Sequence, residues 1–164
     1  MTPSEKRVLE FVQTLDYDFQ QFTLEHFVAH IEAKRSRPIY LHAVPFAPEL
    51  HAFWIRAESA DYVFYNDNTH PIHRIHNILH ELGHIVLGHK GKKIAEYFPP
   101  EMLKQLKLSG QGEVYGGFRM IHPSHSTEEQ EAEAFVRILR ERISRSNRFG
   151  ELTQRASSIG ELDK

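Results

Sequence analysis

The sequence predicts an α+β fold, a small antiparallel sheet packed with helices. Three observations predict it. Apolar residues recur at helical spacing before residue 37 and again after residue 126, β-prone runs lie between residues 39 and 65, and an amphipathic helix over residues 71–88 follows those runs. The chain has 164 residues, 40% of them hydrophobic and 11% aromatic, so one domain can bury a core of its own. The expected organisation is a single domain over residues 1–150, with its motif core at 20–140 and a mobile insertion at 90–126. Residues 151–164 form a polar C-terminal tail.

Taken in order, Ser4 is placed to cap a first helix carrying Val8, Leu9, Phe11, Val12 and Leu15 on one face. A second helix starts near Thr23, with Phe22 and Phe27 spaced for a hydrophobic staple and Val28 and Ile31 continuing the stripe. Arg37-Pro38 ends it, because the residue before proline avoids helical geometry. Residues 39–44 read as a strand. Residues 52–56 and 62–65 read as neighbouring antiparallel strands, and Asn66-Asp67-Asn68-Thr69 has turn chemistry. Pro71 suits the first position of the next helix and Gly88 its C-terminal cap. Lys90 to Lys93 form an exposed charged stretch. Pro99-Pro100 opens a short helix reaching Leu108, and 109–117 reads as a glycine-rich flexible loop. A last helix runs from Ser126 or Thr127 to about Arg145.

Composition narrows the chemistry. A formal charge of −2, from 20 basic and 22 acidic residues, gives no global pull toward nucleic acid or an anionic membrane. No apolar run is long enough to span a bilayer and the N-terminus has no apolar signal core, so a soluble, cytoplasmic protein is expected. There are no cysteines and 12 histidines, so any metal must be held by imidazole and carboxylate.

The histidines matter most at His80-Glu81-Leu82-Gly83-His84. Residues four apart share one helical face, so His80 and His84 can each turn a ring nitrogen toward one ion. Glu81 lies about 100° round the helix, beside the ion rather than on it, where it can take a proton from water. Ile72, Ile75, Ile78, Leu79, Leu82, Ile85 and Val86 are expected to anchor the opposite side, with Gly83 leaving room for close packing. A third ligand is expected from the helix after Thr127, which offers Glu128, Glu129, Glu131 and Glu133. Glu129 and Glu133 share a face, so one can bind metal while the other orients a histidine. First-turn acids also serve as caps and suit the helix dipole, so spacing alone does not choose among them. His89 is expected to cap the helix end, and His73 and His76 to be solvated or hydrogen-bonded rather than ligands.

These segments together resemble the ImmA/IrrE family of small bacterial and phage metallopeptidases. The resemblance runs through Tyr62-Val63-Phe64-Tyr65, Asn66-Asp67, the helix from Ile72 to His89, and Glu129-Gln130-Glu131-Ala132-Glu133-Ala134-Phe135-Val136. It implies a zincin-like fold whose active-site helix carries the His-Glu-x-x-His motif. It also implies zinc, or another divalent metal, held by His80, His84 and a later glutamate, with Glu81 as general base. The family's later motif puts Glu129 at the ligand position. Glu133 stands where the family carries asparagine, a departure that favours Glu129 but keeps Glu131 and Glu133 in play.

The implied activity is hydrolysis of peptide bonds by metal-activated water. The implied substrate is a protein, a DNA-binding helix-turn-helix repressor or an antitoxin, with no membrane partner and no direct contact to nucleic acid. Candidate donors to the oxyanion are His76, Tyr97, Tyr115, His122 and His125. Two other readings compete. One is a non-catalytic metal-binding or protein-interaction module, which would need no base at position 81. The other is nucleic-acid binding through Arg137, Arg140, Arg142, Arg145 and Arg148, a cluster that a solvated basic helix end, which also suits the dipole, explains better.

Overall fold

The computed structural model describes residues 1–45, 50–96, 98–108, 114–120 and 126–162, with side chains described except at 118–120 and 148–162. Helix α1 (Pro3–Thr14) is capped two residues earlier than expected. Thr2, not Ser4, closes a capping box with Glu5: the Glu5 N–H donates to Thr2 Oγ1 at 3.1 Å, and the Thr2 N–H to Glu5 Oε2 at 2.7 Å. Pro3 then takes the first helical position, where its missing N–H costs nothing. Helix α2 (Leu24–Arg35) is capped by Thr23, whose hydroxyl accepts from the His26 N–H at 3.0 Å. The staple rings of Phe22 and Phe27 lie 5.8 Å apart, and Ser36 turns the chain out through a left-handed conformation.

Strands β1 (Ile39–Val44), β2 (Leu50–Arg56), β3 (Asp61–Asn66), β4 (Lys92–Lys93) and β5 (Tyr115–Met120) form one sheet in the order β1-β3-β2-β5-β4. Strands β2 and β3 pair antiparallel, as their sequence predicts. The sheet is mixed rather than wholly antiparallel, because β1 pairs parallel with β3 from Ile39 opposite Asp61 to Val44 opposite Asn66. Two reversals of direction, into β2 and back into β3, return the chain to the heading of β1, so lateral contact between β1 and β3 has to be parallel. Arg35 and Arg37 both pair with buried Asp61 at this corner, at 2.7 and 3.1 Å.

Strand β5 overturns the flexible-loop expectation at residues 115–117. It pairs with β2 across Tyr115–Arg56, Gly116–Ile55 and Gly117–Trp54. Its glycines serve proximity, not mobility. A Cβ on Gly116 would stand 2.0 Å from the Trp54 carbonyl oxygen, and one on Gly117 would stand 2.9 Å from Trp54 Nε1. Elsewhere in 90–126, β4 pairs with β5, and helix α4 (Pro100–Gln105) ends short of the expected Leu108.

Alternation along the strands makes two cores. Trp54, Val63 and Ile39 face helices α1, α2, α3 (Pro71–Val86) and α5 (Thr127–Leu162). Phe53, Ile55 and Phe64 face the other way, against Ile94, Phe98, Leu108 and Val114. Helix α5 extends well past the expected end near Arg145. Gly83 of α3 meets Phe135 of α5, where an added Cβ would lie 3.0 Å from the ring, so the two helices cross closely at that point. The expected anchoring of α3 holds from Ile78 onward. Ile72 and Ile75 are corrected: they are 63% and 42% exposed, because the first turns of α3 project beyond the core.

Candidate metal centre

Helix α3 carries His80 and His84 one turn apart into the interface with α5. Both are buried, and their Nε2 atoms lie 3.2 Å from each other. Glu129, in the first turn of α5, straddles the pair. Its Oε2 is 3.0 Å from His80 Nε2 and its Oε1 is 3.0 Å from His84 Nε2. A tetrahedral ion bonded at about 2.0–2.1 Å spaces its ligand atoms about 3.3 Å apart. His80, His84 and Glu129 each offer one ligand atom within 4.8 Å of the others, so a modest shift of the Glu129 side chain would let the three hold a zinc ion. Two imidazoles and one carboxylate are a donor set that could hold zinc, and three protein ligands would leave a fourth coordination position open.

The electrostatics suit a cation. Burial works to raise the Glu129 carboxyl, but hydrogen bonds from His80 and His84, and their charges, outweigh it and hold the group at about 2. Burial also pushes the His84 imidazole below its ordinary value, toward the neutral form that a metal requires. Each ligand ring is gripped at its other nitrogen. His80 Nδ1 lies 2.8 Å from Glu133 Oε1, and His84 Nδ1 lies 2.8 Å from His89 Nδ1. Glu81, next to His80 on α3, is 1% exposed.

The remaining candidates separate. Glu128 accepts from the Lys90 N–H at 3.0 Å, away from the triangle. Glu131 faces His89 and Arg7 instead of the two ligand rings. The His89 N–H does close onto the His84 carbonyl at 3.0 Å, as a capping residue would, but its ring turns inward. His73 and His76 stay at the exposed start of α3; His76 Nε2 is 3.8 Å from Glu133 Oε2. Tyr115 packs against the Arg56 guanidinium. Tyr97, His122 and His125 lie outside the described residues.

Sequence reasoning missed two participants. Trp54 of β2 stacks on the His84 ring, with centroids 5.7 Å apart and planes 14° from parallel. No local signal points to it, since a tryptophan in a strand reads as core. Arg7 reaches the site through Glu131. A signal did exist there: Glu131 precedes Phe135 by one helical turn and so sits on the apolar stripe of α5, where a carboxylate must find a partner.

Residues 39–107 match the family model Peptidase_M78, the IrrE N-terminal-like domain, and this match supports the ImmA/IrrE family for the chain. The match includes His80, Glu81 and His84 and ends before Glu129. It supports a peptidase of the metallopeptidase kind. No curated protein and no solved structure gives a significant match. Among the described residues, no helix is long and apolar enough to cross a membrane.

Proposed function

We propose that this chain is a zinc-dependent peptidase of the His-Glu-x-x-His type, in which His80, His84 and Glu129 hold the metal and Glu81 is the general base. The observation that carries the reading is that His80, His84 and Glu129 each bring one ligand atom within 4.8 Å of the others, with the two Nε2 atoms 3.2 Å apart and one Glu129 oxygen 3.0 Å from each ring. Zinc bound there supplies a Lewis acid that activates water and polarises the scissile carbonyl. Glu81 accepts the proton on a carboxylate oxygen and returns it to the departing amine. Glu133 and His89 keep the two ligand rings turned so that each Nε2 faces the centre. The family resemblance makes a helix-turn-helix repressor or an antitoxin the proposed substrate, and the cytoplasm the proposed compartment.

The test is Glu81→Gln, which keeps shape and removes the base. Zinc content, measured by mass spectrometry, should stay at the wild-type level. Cleavage of a quenched-fluorescent peptide library and of purified helix-turn-helix repressors should fall by about 10²–10⁴-fold. Undiminished cleavage by the variant would remove Glu81 from the mechanism. A zinc-loaded wild type that binds such repressors and cuts none would favour the interaction-module reading.

A further inference from the structure

We infer that His89, Glu131 and Arg7 form a positioning relay that sets the His84 ring and so ties helix α1 to the metal centre. The inference rests on the metal reading of His80, His84 and Glu129. Its basis is the direction in which protons must lie along four contacts. Arg7 Nη1 donates to both oxygens of Glu131, at 2.7 and 2.8 Å, and Nη2 reaches the Leu87 carbonyl at 3.4 Å. Glu131 Oε2 is 2.8 Å from His89 Nε2. An ionised carboxylate only accepts, so His89 Nε2 carries the hydrogen. A neutral His89 then has a lone pair on Nδ1, which lies 2.8 Å from His84 Nδ1. The hydrogen between them then belongs to His84, so a metal taking the place of the His84 Nε2–Glu129 hydrogen bond would meet the Nε2 lone pair.

The relay is held rigidly. Gly88, at φ +72, reverses the chain after α3, and the His89 carbonyl accepts from Arg56 Nη1 at 2.8 Å. His89 and Glu131 are 3% and 4% exposed, so neither nitrogen of His89 nor the Glu131 carboxylate can readily exchange its partner for bulk water. The arrangement performs for His84 what Glu133 performs for His80, but through an intervening ring and with its far end on another helix.

A control exists in an exposed ion pair between the same helices. Arg137 pairs with Glu5 at 2.8 Å, joining the same two helices, α1 and α5, from a side chain as exposed as that of Arg7, 60% against 58%. It touches no member of the relay. Arg7→Met should lower thermal stability more than Arg137→Met, because Glu131 is buried and Glu5 is not, but only Arg7→Met should disturb the metal. The readouts are the zinc dissociation constant, from competition with a chromophoric chelator, and the visible spectrum of the cobalt(II) form. Arg7→Met should weaken zinc binding by about tenfold and His89→Ala by about 10–100-fold, both with altered cobalt bands. Arg7→Lys should recover most of the loss. Wild-type dissociation constants and unchanged cobalt spectra in Arg7→Met would overturn the relay. Should His89→Ala fail to fold, the surface variants Arg7→Met, Arg7→Lys and Arg137→Met still decide the question. Equal zinc affinity in wild type and His80→Ala would instead sink the metal reading, which separates the two failures.

Discussion

Two imidazoles on one helical turn can share an ion only if each presents the same kind of nitrogen to the same point. Here the choice is made by what each ring touches on its far side. Glu133 accepts from His80 Nδ1 and His89 accepts from His84 Nδ1, so both Nε2 atoms turn inward. Glu129 then supplies the negative charge that two imidazoles lack. Replacing it with Gln should leave the fold intact and reduce zinc retained after dialysis to a minor fraction. Glu128→Gln, one residue away and bonded to the Lys90 N–H, should change zinc retention little and stability by no more than about 0.5 kcal/mol. Metal analysis of the two variants together checks this; equal retention would exclude Glu129 as a ligand. At this scale the sequence carries much of the site. The spacing of His80 and His84 places two rings on one face without further information. The choice among four glutamates is not local, because it depends on where α5 crosses α3. That crossing is set by Gly83 against Phe135, a contact between residues 52 positions apart.

Elements reach the site through close approaches that only small residues allow. Strand β5 lies against β2 because Gly116 adds no side chain between their backbones, and β2 in turn presents Trp54 to His84. Gly116→Ala would put a methyl group 2.0 Å from a backbone oxygen that cannot swing aside. The expected loss is about 3 kcal/mol, the upper end of the range for overpacking. Gly88→Ala is the useful contrast. Its neighbourhood is open within 4 Å, so only the positive φ is penalised, at about 1–2 kcal/mol. Urea denaturation of both variants should therefore rank Gly116→Ala as the more damaging; the reverse order would mean that β5 yields easily. The same glycines explain why β5 could not be read from the sequence. Glycine signals flexibility when its neighbours are unknown, and a strand partner some 60 residues upstream leaves no local trace. The helices were more legible, since caps and apolar periodicity are local: Thr23 and Pro71 mark the starts of α2 and α3 directly. The first turns of α3 show the limit of periodicity. Ile72 and Ile75 keep the apolar spacing, yet the helix runs past the edge of what it packs on.

Across the whole molecule, the α+β layering follows from alternation and periodicity, whereas the mixed strand order follows from long-range pairing. The candidate centre lies where the layers meet: α3 brings two ligands, α5 a third, and the sheet backs them with Trp54. A metal there links helices separated by the sequence from Leu87 to Ser126, so it should act on the stability of the whole domain and not on one helix end. At a free zinc concentration of about 100 times the dissociation constant, linkage adds about 2.7 kcal/mol. For a chain of this size that corresponds to a rise of roughly 5–10 °C in the unfolding midpoint. The chain has one tryptophan, Trp54, and it stacks on His84, so its emission reports the site without a label. Zinc added to metal-free protein should change Trp54 fluorescence in a saturable manner, with the same dissociation constant that describes the rise in midpoint. His84→Ala should abolish both responses. Trp54→Phe should abolish only the optical one and keep the thermal shift. A thermal shift that persists in His84→Ala would mean that zinc stabilises the domain from some other place, and the three-ligand centre between α3 and α5 would lose its claim to the metal.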